Sequence, residues 1–358
     1  MCAPQPWIWS VLLALVSCTE GRRGGAPPSK PSLAGQTLRL YNFPNYLGRH
    51  TVSTFQEHTG ARVVVETYAS NEELVRALEA GARHDVVFPS SYAADRLIRR
   101  GLLRPLDRDR VPNLIQVPER FRNPPVDPGL RHCVPYTWAL VGLGLRSPRN
   151  RPGLDPDSLS ALFAEHGPPV LMLDDMRATL GMALRYLGLS ASTRSADDLA
   201  RARNLLLGQA RRVVRYVADA GPPLADREAM LALAWSGDVA AVARTDREVR
   251  FVVPREGTLL YLDYACVPRT APSPQLAFAF LNHLLEPQIA ADLTNSLMFP
   301  APNDGARKLL SPQAQWLWGL LEAVRDQGRL EMIRDVDEAQ PLYEAVWQQV
   351  RSRVEARR

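Results

Sequence analysis

Two short stretches put rings, an amide and hydroxyls at the ends of apolar strands. Tyr41-Asn42-Phe43-Pro44-Asn45-Tyr46 follows Leu38-Arg39-Leu40 and turns at Pro44. Val86-Val87-Phe88-Pro89-Ser90-Ser91-Tyr92 repeats the design. Strand ends that precede helix N-termini are where open α/β domains line a ligand crevice. The alternative is a plain strand-to-helix turn with buried aromatics, since rings belong to cores more often than to sites. The chemistry on offer is binding. There is no phosphate-cradling Gly-rich loop, no Gly-x-Ser-x-Gly elbow and no His-Glu-x-x-His. Asp174 and Asp175 are adjacent, but sequence neighbours point different ways and make no paired-carboxylate centre. No cofactor is expected. No metal site is expected either, because the six histidines are scattered and none has ligand spacing to a Cys.

The elements that must position these groups alternate. Leu38 to Tyr41 reads as a strand and Leu47 to His58 as a helix stopped by Gly60. Arg62 to Glu66, with three consecutive valines, reads as a buried strand. Ser70-Asn71-Glu72-Glu73 is a capping box that opens a helix to about Ala80. Asp85 to Phe88 is the next strand, followed by a helix over Ala93 to Arg100. Residues 142–145 and 170–173 begin a second unit of the same kind, with helices over 179–187 and 196–207. Leu342, Val346, Val350 and Val354 recur every four residues and give a C-terminal helix one apolar face. This rhythm predicts an open, mainly parallel sheet flanked by helices.

With 358 residues, 46% of them apolar and 23% charged, the chain is long enough for two compact domains. The net charge of +5 comes from 41 arginines against two lysines, Lys30 and Lys308. These arginines alternate with acids and form no basic stripe, so nucleic-acid binding is not expected. Trp7 to Val16 is an apolar run far below the roughly 20 residues that span a bilayer. It ends in Leu15-Val16-Ser17-Cys18, which looks like a lipobox, although no positive n-region precedes it. Residues 1–18 are therefore expected to be a lipoprotein signal peptide and Cys18 the lipidated residue. Residues 19–36 are expected to be a flexible tether. Cys133 and Cys266 each precede Val-Pro, and both a disulfide and two buried thiols are compatible with that.

Several short motifs in this order resemble the polyamine-binding proteins of bacterial ABC importers. They run from Tyr41-Asn42-Phe43-Pro44-Asn45-Tyr46 through Thr67-Tyr68-Ala69-Ser70-Asn71-Glu72, then residues 85–92 and Val134-Pro135-Tyr136-Thr137-Trp138. Leu173-Asp174-Asp175, Trp235-Ser236-Gly237-Asp238, Pro254-Arg255-Glu256-Gly257 and Pro302-Asn303 follow. The resemblance covers about residues 37–352. It implies a two-lobed periplasmic-binding-protein fold of the second type, each lobe an open mixed sheet flanked by helices. The lobes would be 37–137 plus 263–306 and 140–258 plus 310–352, joined by two hinge crossovers. It also implies a monomer outside the cytoplasm that hands its ligand to an ABC permease in the inner membrane.

A polyamine is a string of ammonium groups joined by methylenes. Its pocket must interleave carboxylates with aromatic faces. Carried over by position, the resemblance implies rings at Phe43, Tyr46, Tyr92, Trp235, Tyr261 and Phe299, and acids at Asp175, Asp238 and Asp263. Ser90, Ser91 and Asn45 would add polar contacts. Asn45 stands where the family has an acid, Ala178 replaces a glutamate and Ile333 a glutamine. Asp238 resembles the putrescine-binding branch. The smaller acid count favours a putrescine-like diamine over spermidine. The alternatives are a polyamine sensor docked on a membrane receptor, or a diverged member that binds another small cation or a zwitterion, whose carboxylate Arg177 would meet. Asp175 also has a plain structural role open to it, as the cap of the helix near Arg177.

Overall fold

Residues 37–42 alternate inward Leu38 and Leu40 with outward neighbours, and in the computed structural model they form β1 (Thr37–Asn42). The structure describes residue 1 and residues 33–146, 155–326 and 328–357. The expected signal peptide, Cys18 and the tether up to residue 32 lie outside the described residues. From β1 the chain runs through α1 (Thr51–Thr59), β2 (Arg62–Thr67), α2 (Asn71–Glu79), β3 (Val86–Val87) and α3 (Ser91–Arg99) to β4 (Cys133–Arg146). Next come α4 (Ser160–Phe163), β5 (Val170–Leu173), α5 (Met176–Tyr186), α6 (Ala196–Gln209), β6 (Val213–Val217), α7 (Gly221–Ala225), β7 (Leu231–Trp235) and α8 (Ser236–Ala243). The chain ends with β8 (Val249–Val252), β9 (Thr258–Cys266), α9 (Pro274–Leu284), α10 (Pro287–Leu297), α11 (Pro312–Asp326), β10 (Leu330–Met332) and α12 (Gln340–Glu355).

The strands order as β2-β1-β3-β9-β4-β7-β5-β6, with β10 added on β9 and β8 on β4. Both flanks, β2-β1-β3 and β7-β5-β6, are parallel, as the β-α rhythm requires. The centre is antiparallel: β4 and β9 pair from Cys133↔Cys266 to Val141↔Leu259, and each joins its flank antiparallel too. The sheet is therefore mixed rather than mainly parallel. All fourteen residues of β4 and all nine of β9 are buried, so any polar side chain on them needs a partner. Cys133 and Cys266, facing each other in that ladder with Cα atoms 4.5 Å apart, form a disulfide.

Local chemistry explains several helix ends. Gly60 ends α1 at φ +69, a left-handed cap that costs glycine nothing. The Ser70 hydroxyl accepts from the Glu73 N–H at 3.2 Å. The Glu73 carboxylate takes the Ala69 N–H at 2.8 Å, so the capping box closes one residue early. Three expectations are corrected. The helix expected from Leu47 starts at Thr51, because Asp292 holds the His50 N–H at 2.8 Å and the preceding residues turn. The valines of β2 are not fully buried, since β2 is the edge of the sheet and no residue along it is fully covered. Leu342 is exposed. Tyr343 occupies the apolar face of α12 instead, donating its hydroxyl to the Thr193 carbonyl at 2.9 Å.

Candidate binding site

Tyr261 and Asp263 stand two residues apart on β9 and so share one face of the sheet. Each anchors a cluster. Around Asp263, the Tyr46 hydroxyl donates to Oδ2 at 2.6 Å and sits 2.6 Å from the Thr137 hydroxyl. Thr137 is the cross-strand partner of Asp263, displaced there by a register shift after Pro135, which has no N–H to give the ladder. The other carboxyl oxygen, Oδ1, is buried and has no hydrogen-bond partner among the described residues. Burial raises the Asp263 pKa, and the neighbouring Ser90, Tyr46 and Thr137 hydroxyls hold it back.

Rings enclose this acid. Tyr46 meets Phe43, Tyr136 and Phe299 edge-on at 5.9, 5.7 and 5.6 Å, and Phe43 lies 4.5 Å from Tyr68. The turn that presents Phe43 and Tyr46 is stapled by buried Asn42. Its amide accepts from the Phe43 N–H at 2.8 Å and donates to the Tyr46 carbonyl at 3.1 Å. Asn45 sits exposed at the tip with φ +55, which Asn tolerates. Ser90 bridges to Asp263 through the backbone, and its hydroxyl accepts from Asn71 at 3.0 Å.

The second cluster surrounds Tyr261, which packs edge-on against Trp235 at 4.7 Å and donates to Asp175 Oδ1 at 3.2 Å. Asp175 also caps α5, accepting the Ala178 N–H at 2.7 Å. Capping and facing the site are compatible roles for one carboxylate. Burial pushes its pKa up to about 6. Asp174 turns away and pairs with Arg351 at 3.0 Å, as expected of a sequence neighbour. Tyr92 feels both Asp175 and Glu72, donating to Glu72 at 3.2 Å.

Asp238, in the first turn of α8, is pushed well above its ordinary range by burial and then by the Asp219 carboxylate beside it. Its Oδ2 is buried and receives no donor among the described residues. Gly237 lets this turn touch Phe299: a Cβ there would lie 2.7 Å from the Met298 carbonyl and 2.8 Å from the Phe299 ring. The Ser236 hydroxyl ties the same turn to β4 through the Leu140 N–H at 3.1 Å.

Not every candidate joins the clusters. The Ser91 hydroxyl is spent on the Ile333 carbonyl at 2.9 Å, which ties α3 to the chain after β10. Thr137, Tyr68, Tyr136 and Asp219 were missed as candidates. Thr137, Tyr68 and Tyr136 lie inside motifs quoted from the sequence. Asp219 follows strand β6 just before α7, the same strand-end signal that singled out residues 41–46. Arg177 is fully buried, its guanidinium centred 5.0 Å from the Tyr92 ring and 4.7 Å from the Tyr343 ring. It donates to the Arg334 carbonyl at 3.0 Å, while Nε and Nη1 have no hydrogen-bond partner among the described residues.

The chain and its architecture are similar to known proteins. The sequence profile of the bacterial extracellular solute-binding proteins matches residues 50–318. The chain belongs to this family. The spermidine/putrescine-binding periplasmic protein of Escherichia coli is 28% identical over 326 residues, covering 88% of this chain and 92% of its own. A putrescine/cadaverine-binding protein of Pseudomonas aeruginosa is 30% identical, covering 86% and 91%. Among solved structures, a Listeria monocytogenes protein named for spermidine/putrescine ABC transport superposes with a TM-score of 0.82. It is 26% identical and covers 88% of this chain and 98% of its own. A Treponema pallidum lipoprotein gives 0.77 at 26% identity, covering 88% and 100%. This solute-binding protein thus has the periplasmic-binding-protein fold, and its relatives are named as binding proteins and, in one case, for an ABC transporter.

Proposed function

We propose that this solute-binding protein captures a polyamine between its two groups of rings and acids, with a putrescine-like diamine favoured over spermidine. The observation that carries the reading is the buried Asp263 carboxyl, whose Oδ1 has no hydrogen-bond partner among the described residues, set beside the rings that gather around Tyr46. A buried carboxylate oxygen left without a partner is costly, and an ammonium group removes that cost. The rings of Tyr46, Phe43, Phe299, Trp235 and Tyr261 offer faces to methylenes, and each adds about 0.5–2 kcal/mol for an adjacent cation. Relatives named for putrescine, cadaverine and spermidine support the ligand class. Asp175, Asp238 and Asp263 suffice for two ammonium groups. With Ala178 and Ile333 fully buried and apolar where the family carries polar groups, a third ammonium has fewer partners.

The sheet halves on either side of β4 and β9 would act as lobes that close on the ligand, the two long strands serving as hinges. We assign the lobes to 37–137 plus 263–306 and 140–258 plus 310–352. The protein would work as a monomer outside the cytoplasm, tethered by a lipid on Cys18, and deliver to an ABC permease. The Cys133–Cys266 disulfide fits an oxidising compartment. Replacing Cys18 with Ser should release the protein from membranes into the soluble fraction, and unchanged membrane retention would refute the anchor.

Calorimetric titration of residues 37–358 with putrescine, cadaverine, spermidine, norspermidine and 4-aminobutyrate tests the ligand. Tight putrescine binding with weaker spermidine binding is expected, and no heat from folded protein with any amine would overturn the assignment. A second reading rests on Arg177, whose buried Nε and Nη1, with no hydrogen-bond partner among the described residues, favour a ligand carboxylate. Preference for 4-aminobutyrate would select it.

A further inference from the structure

Three side chains, two of them three residues apart at the α9–α10 corner and one distant in sequence on α1, converge on elements separate from the strand ends that hold the rings and acids. They are His58 in the last turn of α1, His283 in the last turn of α9, and Glu286, the residue just before α10. One ligand atom from each lies within 4.8 Å of the others. The two imidazole rings stand edge to face, centroids 6.4 Å apart.

The tautomer of His283 gives the cluster its meaning. This ring is buried, and its Nε2 sits 3.0 Å from the Thr51 carbonyl oxygen. A carbonyl only accepts, so Nε2 carries the proton. In a neutral ring Nδ1 is then a bare lone pair, and it faces Glu286 Oε1 at 3.3 Å. Two acceptors do not attract across that gap, so something positive belongs between them. A second proton on His283 would satisfy this pair and leave His58 with no part in it. A metal ion uses all three groups. An imidazole that donates its far N–H to a backbone carbonyl is also the usual outer-shell arrangement behind a metal-binding histidine.

We propose that His58, His283 and Glu286 form a site for a divalent transition ion of the zinc type. Two imidazoles and a carboxylate suit Zn²⁺ and its neighbours, whereas Ca²⁺ and Mg²⁺ prefer oxygen alone. Zinc bonds of about 2.0–2.2 Å require the three atoms to draw together by roughly an ångström. His58 is exposed and Glu286 half-exposed, so both can rotate inward while buried His283 stays fixed. Their exposure also opens the site to solvent and leaves a fourth position for water. The ion would bind α1 to the α9–α10 corner and brace that side of the protein.

The test uses the full folded chain without a histidine tag. Zn²⁺ is titrated by calorimetry with a chromophoric chelator as competitor, Co²⁺ is followed by its visible absorption, and Ca²⁺ is the control. One equivalent of Zn²⁺ is expected, with Co²⁺ bands of a nitrogen–oxygen site and no Ca²⁺ binding. His58→Ala and Glu286→Gln should each weaken Zn²⁺ at least tenfold and leave putrescine titrations unchanged. These two positions are preferred because His283 supports the fold through Thr51. Failure to bind one equivalent, or Zn²⁺ binding undiminished in both variants, overturns the site; the latter would point to ions on other histidines such as His50 or His132.

Discussion

Amine binding should weaken as pH falls from 7 to 5, and Asp175 provides the means to measure why. Its pKa is pushed up to about 6 by burial, so it is about nine-tenths ionised at pH 7 and about one-tenth at pH 5. The amine, near pKa 10, stays charged throughout. If the ligand is held by the ionised carboxylate, this residue alone lowers affinity about tenfold between those pH values, or about 1.4 kcal/mol. Asp238 and Asp263 are raised as well, and their contribution is common to the wild type and any Asp175 variant. Asp175→Asn isolates the contribution. Asn caps helices as well as Asp does, so α5 keeps its bond to the Ala178 N–H while the charge is lost. Putrescine calorimetry on both proteins at pH 5, 6 and 7 gives the two pH ratios. The wild-type ratio should be about ten times the variant's, and the variant should bind more weakly at pH 7. Equal ratios would refute the reasoning, as would undiminished affinity of the variant at pH 7. For the free protein the sign is opposite. A folded pKa above the unfolded 3.8 means that the folded state holds more protons in between. Its contribution to stability therefore falls as pH rises from about 4 to 6, and Asp175→Asn should raise the melting temperature of ligand-free protein at pH 7.

Three further outcomes test other parts of the structure. Asp263→Asn keeps an acceptor for the Tyr46 hydroxyl but removes the buried charge. Putrescine affinity should fall by about 2–5 kcal/mol with an unchanged circular-dichroism spectrum, and unaltered affinity would remove Asp263 from the site. Replacing Cys133 and Cys266 together by Ala should cost about 2–4 kcal/mol in urea unfolding, because the bridge closes a long loop; a loss below about 1 kcal/mol would show that it constrains little. Asp335, almost fully buried, is held by Arg96 at 2.8 Å and by Arg99, and Asp335→Ala should cost about 3–5 kcal/mol. Because these arginines hold its pKa low, the stability it contributes is present above about pH 4 and lost as pH falls through its folded pKa. A variant as stable as wild type at pH 7 would contradict this.

Local signals in the chain determined the alternation of strands and helices, the Gly60 cap, the Ser70 cap and the strand ends that carry Tyr46 and Ser90. Each depends on a few adjacent residues, so each is legible without the fold. The family resemblance singled out Asp175 through Leu173-Asp174-Asp175, and Tyr261 and Asp263 by position, as candidates. Tertiary structure decided what depends on pairing between distant segments. The antiparallel centre appears only when β4 meets β9. That same register bonds Cys133 to Cys266, choosing between two states that the sequence left open, and sets Thr137 opposite Asp263. Tyr343 displaced Leu342 from the core because the Thr193 carbonyl was waiting for its hydroxyl. The approach of Asp219 to Asp238, and of His58 to His283 and Glu286, joins residues whose spacing carries no pattern. Spacing reports geometry only within one element, and these groups meet because separate elements pack together.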